Sequence, residues 1–193
     1  MCFHFQQQKA AGAFQQKGLS GIPIQGQFNG FSHPQASVLT AQQPTHLYPF
    51  QWGLIPHWAK NRDIQKYTLN AKWETVTEKP SFRKAKPCLV PADGFFEWQW
   101  LDAKGKQKQK FKVGLPDENL FMFAGLWDEW VAVETGEIIH SFALVTTAAQ
   151  GIMQEIHNSK LRMPLVLSPD QEMQWLENRS AVPFIDFEAT PVS

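Results

Sequence analysis

The sequence predicts an α+β domain: a curled sheet, mixed but mostly antiparallel, with helices at its periphery. Three observations lead there. Short apolar runs with strand-like alternation recur along the chain, helical patterns between them are few, and the regular strand–helix alternation of a doubly wound sheet is absent. No internal repeat, low-complexity tract or Gly/Ser linker divides the chain, so residues 1–193 read as a single domain. With 43% hydrophobic residues, 8 Trp and 15 Phe, such a chain can bury enough apolar surface to offset the entropy of ordering it.

The elements follow in order. Residues 4–16 carry good helix formers ahead of Gly18 and predict a short helix. Val38–Ala41 and Leu47–Trp52 read as strands separated by a Gln/Pro turn. Residues 59–86 are polar and basic, mostly loop, with a short helix near Pro80–Lys84. Phe95–Leu101 and Gln107–Val113 flank Asp102-Ala103-Lys104-Gly105-Lys106, the pattern of a hairpin with a glycine turn. Leu120–Leu126 and Ile138–Thr146 are further strands, Ala148–Ile156 reads as a helix, and Leu165–Leu167 as a short buried strand. Ser168-Pro169 opens a last helix over Pro169–Asn178.

Composition narrows the function. No apolar run approaches the ~20 residues of a membrane span, and no charged segment followed by an apolar one marks a signal peptide. The expectation is a cytoplasmic protein without membrane contact. Two Cys residues make no disulfide framework, and neither they nor the 6 His show zinc-type spacing, so no metal and no cofactor is expected. The zero net charge hides an asymmetry: residues 1–115 hold 15 Lys/Arg against 6 Asp/Glu, residues 116–193 hold 3 against 12. That hints at an anionic partner for one face, although the two halves pairing with each other explains it as well.

Cys2 is the first candidate for chemistry. Initiator Met is normally removed before a small side chain, which would leave an α-amine and a thiol on one residue. With reference pKa values of ~7.7–8.0 and ~8.5, both are partly deprotonated near neutrality. The amine can attack an aldehyde to form a Schiff base, and the thiol can then close a thiazolidine ring. The same residue could attack an amide as an N-terminal nucleophile. Glu97, in Phe95-Phe96-Glu97-Trp98, is the second candidate: alternation puts it on the face of Phe95, where desolvation raises a carboxyl pKa toward acid–base use. Asn70 could orient a hydroxyl or carbonyl, and Lys72 or Arg83, in a stretch with 8 Lys/Arg against 3 acids over residues 60–86, could meet phosphate. His157, just after a helical pattern, is either a proton shuttle or a helix C-terminal cation. Lys104, Lys106, Lys108, Lys110 and Lys112 alternate, and read as a solubilising hairpin surface rather than a binding stripe.

Together the runs Met1-Cys2, Trp52-Gly53-Leu54-Ile55-Pro56-His57-Trp58, Asn70-Ala71-Lys72-Trp73-Glu74-Thr75, Pro91-Ala92-Asp93-Gly94-Phe95-Phe96-Glu97-Trp98 and His157 with Arg162-Met163-Pro164 resemble, in order, the SRAP family of SOS response-associated peptidases, or abasic-site processing proteins. The resemblance implies a barrel-like β core, a DNA groove and covalent capture of abasic sites in single-stranded DNA by a monomer active in the DNA damage response. It assigns crosslinking to Cys2, the ring-opened sugar to Asn70 and acid–base work to Glu97 and His157. Trp52 and Trp98 would stack on bases or wedge beside the lesion, with core packing the stronger alternative for Trp98, and Lys72 and Arg83 would hold phosphates. Arg162 joins them as a DNA contact. His4 stands where the family often carries an arginine, and inherits its phosphate contact. The segment Phe28–Pro34 replaces a shorter wedge segment, and Asn158-Ser159-Lys160 are extra residues between His157 and Arg162. Two other readings stay open: a Cys2-dependent peptidase or amidohydrolase with autocatalytic removal of Met1 (a lyase activity being a further variant), and a non-catalytic single-stranded DNA-binding module.

Overall fold

The computed structural model describes residues 1–192. In chain order its elements are β1 (His4–Gln7), α1 (Ala11–Gln16), β2 (Gly26–Asn29), β3 (Gln35–Thr40), β4 (Gln43–Trp52), β5 (Asn70–Lys72), β6 (Lys86–Ala92), β7 (Gly94–Trp100), β8 (Lys108–Gly114), β9 (Phe121–Val131), β10 (Ile138–Ala148), α2 (Met153–Ile156), β11 (Arg162–Pro164), β12 (Val166–Leu167), α3 (Pro169–Asn178) and β13 (Glu188–Val192).

Five of these strands close on themselves. β10 pairs with β4, β4 with β3, β3 with β6, β6 with β9, and β9 returns to β10. All contacts around this barrel are antiparallel except β4 with β10. A second, antiparallel sheet in the order β13-β8-β7-β1-β2 packs against it. The fold is α+β with a mixed, mostly antiparallel barrel core.

Alternation along the barrel strands separates two cores. Val38, Trp52, Val90, Phe123 and Phe142 form one cluster with Phe5 and Phe95 of the second sheet. The intervening Leu39, Leu89, Leu126 and Val145 turn the other way, toward Phe14 of α1 and Trp175 of α3. The helices therefore cover the outer wall, while the first cluster joins the barrel to the second sheet. Cys2 belongs to that joining cluster, which is how the start of the chain comes to lie inside the protein.

Several expectations are corrected. Residues 4–16 are not one helix: Phe5 is fully buried and β1 pairs with both β2 and β7, while α1 begins only after Ala10. The side-chain amide of Gln7 donates to the carbonyls of Ser37 and Pro91, holding β1 as a strand against its helical propensity. β10 runs on through Ala148, so the helix expected over Ala148–Ile156 shrinks to α2, with the turn at Gly151 (φ 54°) between them. β2, β6 and β13 carried no sequence signal strong enough to predict them. β6 was hidden by Pro87 and Pro91, residues that ordinarily argue against an interior strand. The hairpin β7–β8 and helix α3 match their expected places.

Candidate functional site

The pairing of β1 sets the site. Phe5 lies opposite both Phe28 and Phe95, and the carbonyl of Phe3 accepts from the Gly30 N–H at 2.9 Å. These contacts draw Met1 and Cys2 across the inner face of β7. Alternation along β7 points Phe95 and Glu97 at them, and Glu97 is only 3% exposed. From the parallel pair β5–β10, Asn70 reaches in and its Nδ2 donates to the Cys2 carbonyl at 2.9 Å. His157 closes the pocket at the end of α2, with Nε2 3.1 Å from the Met1 ammonium and 3.8 Å from Glu97 Oε2. The Met1 nitrogen is 4.0 Å from Glu97 Oε1. Cys2, Asn70, Glu97 and His157, distant in sequence, are thus brought together around the first backbone amine.

Burial dominates the electrostatics. Desolvation raises the Glu97 carboxyl from 4.5 to about 8, against the opposing pull of the Met1 ammonium. Desolvation, with the Met1 charge and despite a backbone hydrogen bond, lowers His157 from 6.5 to about 4. Burial pushes the Cys2 thiol well above its usual range, and the nearby Glu97 adds to that, so the thiol is held protonated. The Met1 amine is lowered by its own burial. Near neutrality the pocket therefore holds a largely protonated acid beside a neutral imidazole. His157 Nδ1 faces both the Arg162 carbonyl at 2.7 Å and the Arg162 N–H at 3.1 Å; in the tautomer with its proton on Nδ1 it donates to the nearer carbonyl and turns the Nε2 lone pair to the amine. Two buried atoms, Glu97 Oε1 and Asn70 Oδ1, have no hydrogen-bond partner among the described residues, an arrangement that suits an incoming polar group.

The expected DNA contacts divide. Trp52 is fully buried, its ring edge-on to Phe5 at 5.0 Å and its Nε1 donating to the Leu69 carbonyl, so it packs the core and offers no face to a base. Trp98 is the half-buried one of the two, edge-on to His4 at 5.1 Å, which reverses the expected ranking. His4 itself is lowered in pKa by partial burial and by Lys110, so it is a poor cation at neutral pH. Arg162 is engaged within the protein: its guanidinium forks onto Glu74 at 2.7 and 2.9 Å and donates to the Thr146 carbonyl at 2.6 Å. That ion pair holds Glu74 below the usual carboxyl range. Lys72 is exposed two residues from Asn70. Arg83 is exposed in a turn whose Phe82 packs into the core beneath α3, and no contact joins it to the pocket.

Sequence reasoning missed two residues that shape the pocket. Glu74 was quoted only as part of a run; its clamp on Arg162 steadies the backbone carbonyl that holds His157. Asn158, one of the extra residues, exchanges two hydrogen bonds with the Trp100 backbone (3.0 and 2.9 Å) and so ties the His157 loop to the strand that carries Glu97. Its position directly after His157 was the available signal. Among the described residues no group of three or more His, Cys, Asp or Glu side chains is placed to hold a metal ion.

The fold and the pocket define a class: a closed mixed barrel that buries the start of its chain, thiol and amine together, against a carboxyl and an imidazole. Residues 1–185 match the family of SOS response associated peptidases (SRAP), and the chain belongs to that family. It is 38% identical over 166 residues to the abasic site processing protein YoqW of Bacillus subtilis, covering 80% of this chain and 71% of that protein. It is 40% identical over 150 residues to the abasic site processing protein YoaM of the same organism, covering 76% and 63% respectively. Among solved structures, a protein from Bacteroides thetaiotaomicron superposes with a TM-score of 0.87 at 31% identity, covering 100% of this chain and 92% of the other. No helix among the described residues is long and apolar enough to cross a membrane.

Proposed function

We propose that this protein processes abasic sites in single-stranded DNA by joining Cys2 covalently to the sugar, acting as a monomer in the cytoplasm during the DNA damage response. The relatives named for abasic-site processing support the substrate. The observation that carries the chemistry is the convergence of Glu97 and His157 on the first amine of the chain.

The steps follow from the protonation states. Loss of Met1 frees the Cys2 amine in the same pocket. His157 Nε2 accepts a proton as that amine adds to the C1′ aldehyde of the ring-opened sugar, giving a carbinolamine. Glu97 supplies the proton with which the carbinolamine hydroxyl leaves as water, so a C=N bond forms. The Cys2 thiol then adds across that bond: sulfur binds carbon, its proton passes to nitrogen, and the thiazolidine closes with one water lost overall. Asn70 holds Cys2 by its carbonyl through Nδ2, and its free Oδ1 receives a sugar hydroxyl. The imidazolium returns its proton to the sugar oxygen to complete the carbinolamine hydroxyl, and the iminium N–H left after water departs returns a proton to Glu97, so both groups end as they began.

Incubation with single-stranded DNA carrying one abasic site is expected to give a heat-stable adduct on a denaturing gel. An equal yield of adduct from Cys2→Ala would overturn the proposal. A second reading, amide hydrolysis, is motivated by the same contact, because Glu97 and His157 meet the amine of the residue whose peptide bond to Cys2 would be cut. It requires that Glu97→Gln or His157→Ala retain Met1 by intact mass where the wild type has lost it; equal processing in all three overturns autocatalysis.

A further inference from the structure

The outer face of the β7–β8 hairpin carries a pattern that a solubilising surface does not need. Directly opposed residues share a face, and here Phe96 opposes Lys112, Trp98 opposes Lys110 and Trp100 opposes Lys108. Aromatics line one strand and ammonium groups the other. Lys110 Nζ sits 4.5 Å from the Phe96 ring centre and 5.6 Å from that of Trp98, and Lys108 Nζ 5.4 Å from that of Trp100. Among the described residues no carboxylate forms an ion pair with any of these lysines, or with Lys104 and Lys106 in the turn. The one acid of the turn, Asp102, is committed to the backbone amides of Lys104, Lys106 and Gln107. The turn is braced on Trp100, since Gly105 lies so close to the indole that a Cβ there would stand 2.6 Å from the ring. The stripe is continuous with the pocket: His4, two residues from Cys2, lies edge-on to Trp98, and the opposite face of the same strand presents Glu97.

We infer that this hairpin face is a track for the single strand that flanks the lesion, on one side of it only. The inference rests on the proposed function and extends it from the lesion to its neighbours. The occupant follows from charge and shape: successive lysines on a strand stand about 6.8 Å apart, a spacing an extended polynucleotide can follow with its phosphates, while the half-buried Trp98 is an aromatic ring on which a base can stack. A folded protein partner would instead need acids opposite every lysine and an apolar area without charge between the rings. Lysines already resting on rings cost little to redirect, because an ammonium can keep one side on the ring while a phosphate takes the other.

The test uses fluorescence polarisation with single strands that carry a tetrahydrofuran abasic analogue, which lacks the aldehyde and keeps binding reversible. Each strand is extended by several nucleotides on the 5′ side alone or the 3′ side alone. Wild type is expected to bind one of the two extended strands more tightly. Lys108→Gln/Lys110→Gln is expected to abolish that gain and to reduce the slope of log K against log salt by about 1.4, from ~0.7 per phosphate contact on single strands. Lys108→Arg/Lys110→Arg, which keeps the charges, should behave as wild type and exclude a folding defect. Lys86→Gln, a lysine resting on Trp127 outside this hairpin, should leave the slope unaltered. An unchanged slope in the Gln pair, or an equal loss with both extensions, overturns the track. Adduct formation with authentic abasic DNA is read in parallel: a wild type that forms none refutes the Cys2 chemistry, while the polarisation result still decides the hairpin.

Discussion

Asn70 donates from Nδ2 to the carbonyl of Cys2 at 2.9 Å, so a strand anchored in the barrel wall holds the second residue of the chain in place. The other side of that amide, Oδ1, is buried and unpaired. A residue with this double office should matter more for reaction than for folding. Asn70→Ala is expected to slow adduct formation by ~10- to 100-fold while costing only about 1 kcal/mol of stability, the scale of one hydrogen bond. Asn70→Asp keeps the size but removes the donor, and should be as slow. Single-turnover gels alongside urea melts check this; a variant that loses stability and rate in proportion makes Asn70 a structural residue.

Glu97 and His157 make opposite demands on pH. Folding raises Glu97 from 4.5 to about 8, so between those values the folded state binds the extra proton. Its contribution to stability is complete below 4.5 and is lost as the pH rises through 8. His157 is lowered from 6.5 to about 4, so its contribution is complete above 6.5 and is lost as the pH falls through 4. Glu97→Gln removes the first dependence and keeps the second. Relative to wild type the variant should gain stability from pH 5 to pH 8, by at most about 1.4 kcal/mol per pH unit. Urea midpoints at three pH values measure it, and parallel curves would show that Glu97 is not protonated in the fold. The wild-type crosslinking rate should decline above pH 8, and Glu97→Gln should lose that decline along with most of the rate.

The forked ion pair between Arg162 and Glu74 separates two roles for the arginine. If its work is to steady the carbonyl that holds His157 Nδ1, Glu74→Gln loosens the loop and slows crosslinking by ~3- to 10-fold with DNA affinity unchanged. If Arg162 serves phosphate, freeing it from Glu74 raises affinity and steepens the salt dependence. Polarisation and single-turnover rates on the same variant decide between them. Tighter binding would restore the contact that the sequence suggested.

Much of this was legible before any coordinates, and the exceptions share a cause. The hairpin β7–β8 and helix α3 announce themselves locally, by a glycine turn and by a proline at the helix start. β1 does not, because Phe5 and Gln7 are strand residues only through partners about 20 and 90 positions away. The same holds for the site. Glu97 could be placed by alternation within one strand, but its separation from His157 depends on how α2 docks against β7, where Asn158 grips the backbone of Trp100. Trp52 misled for the converse reason: its motif drew attention to the ring, while only the closure of the barrel shows that Phe5 and Phe142 enclose it.

The two tryptophans provide the sharpest contrast between packing and binding. Trp52 fills the joint between barrel and second sheet and satisfies its own indole N–H within the protein. Its replacement by Ala leaves a large cavity and takes one of two donors from the Leu69 carbonyl, which keeps the Leu144 N–H at 3.0 Å; it is expected to destabilise the fold by about 3–5 kcal/mol. Trp98 lies on the outer face of β7 with its edge toward His4 and Lys110 near its ring. Trp98→Ala should leave the melting temperature within a few degrees of wild type yet weaken single-stranded DNA binding by about 1–3 kcal/mol, the scale of a base stacked on an aromatic ring. Thermal melts and polarisation on both variants read the two effects independently. A Trp98→Ala protein that melts early and binds normally would assign that ring to the core, and with it would go the aromatic half of the nucleotide track.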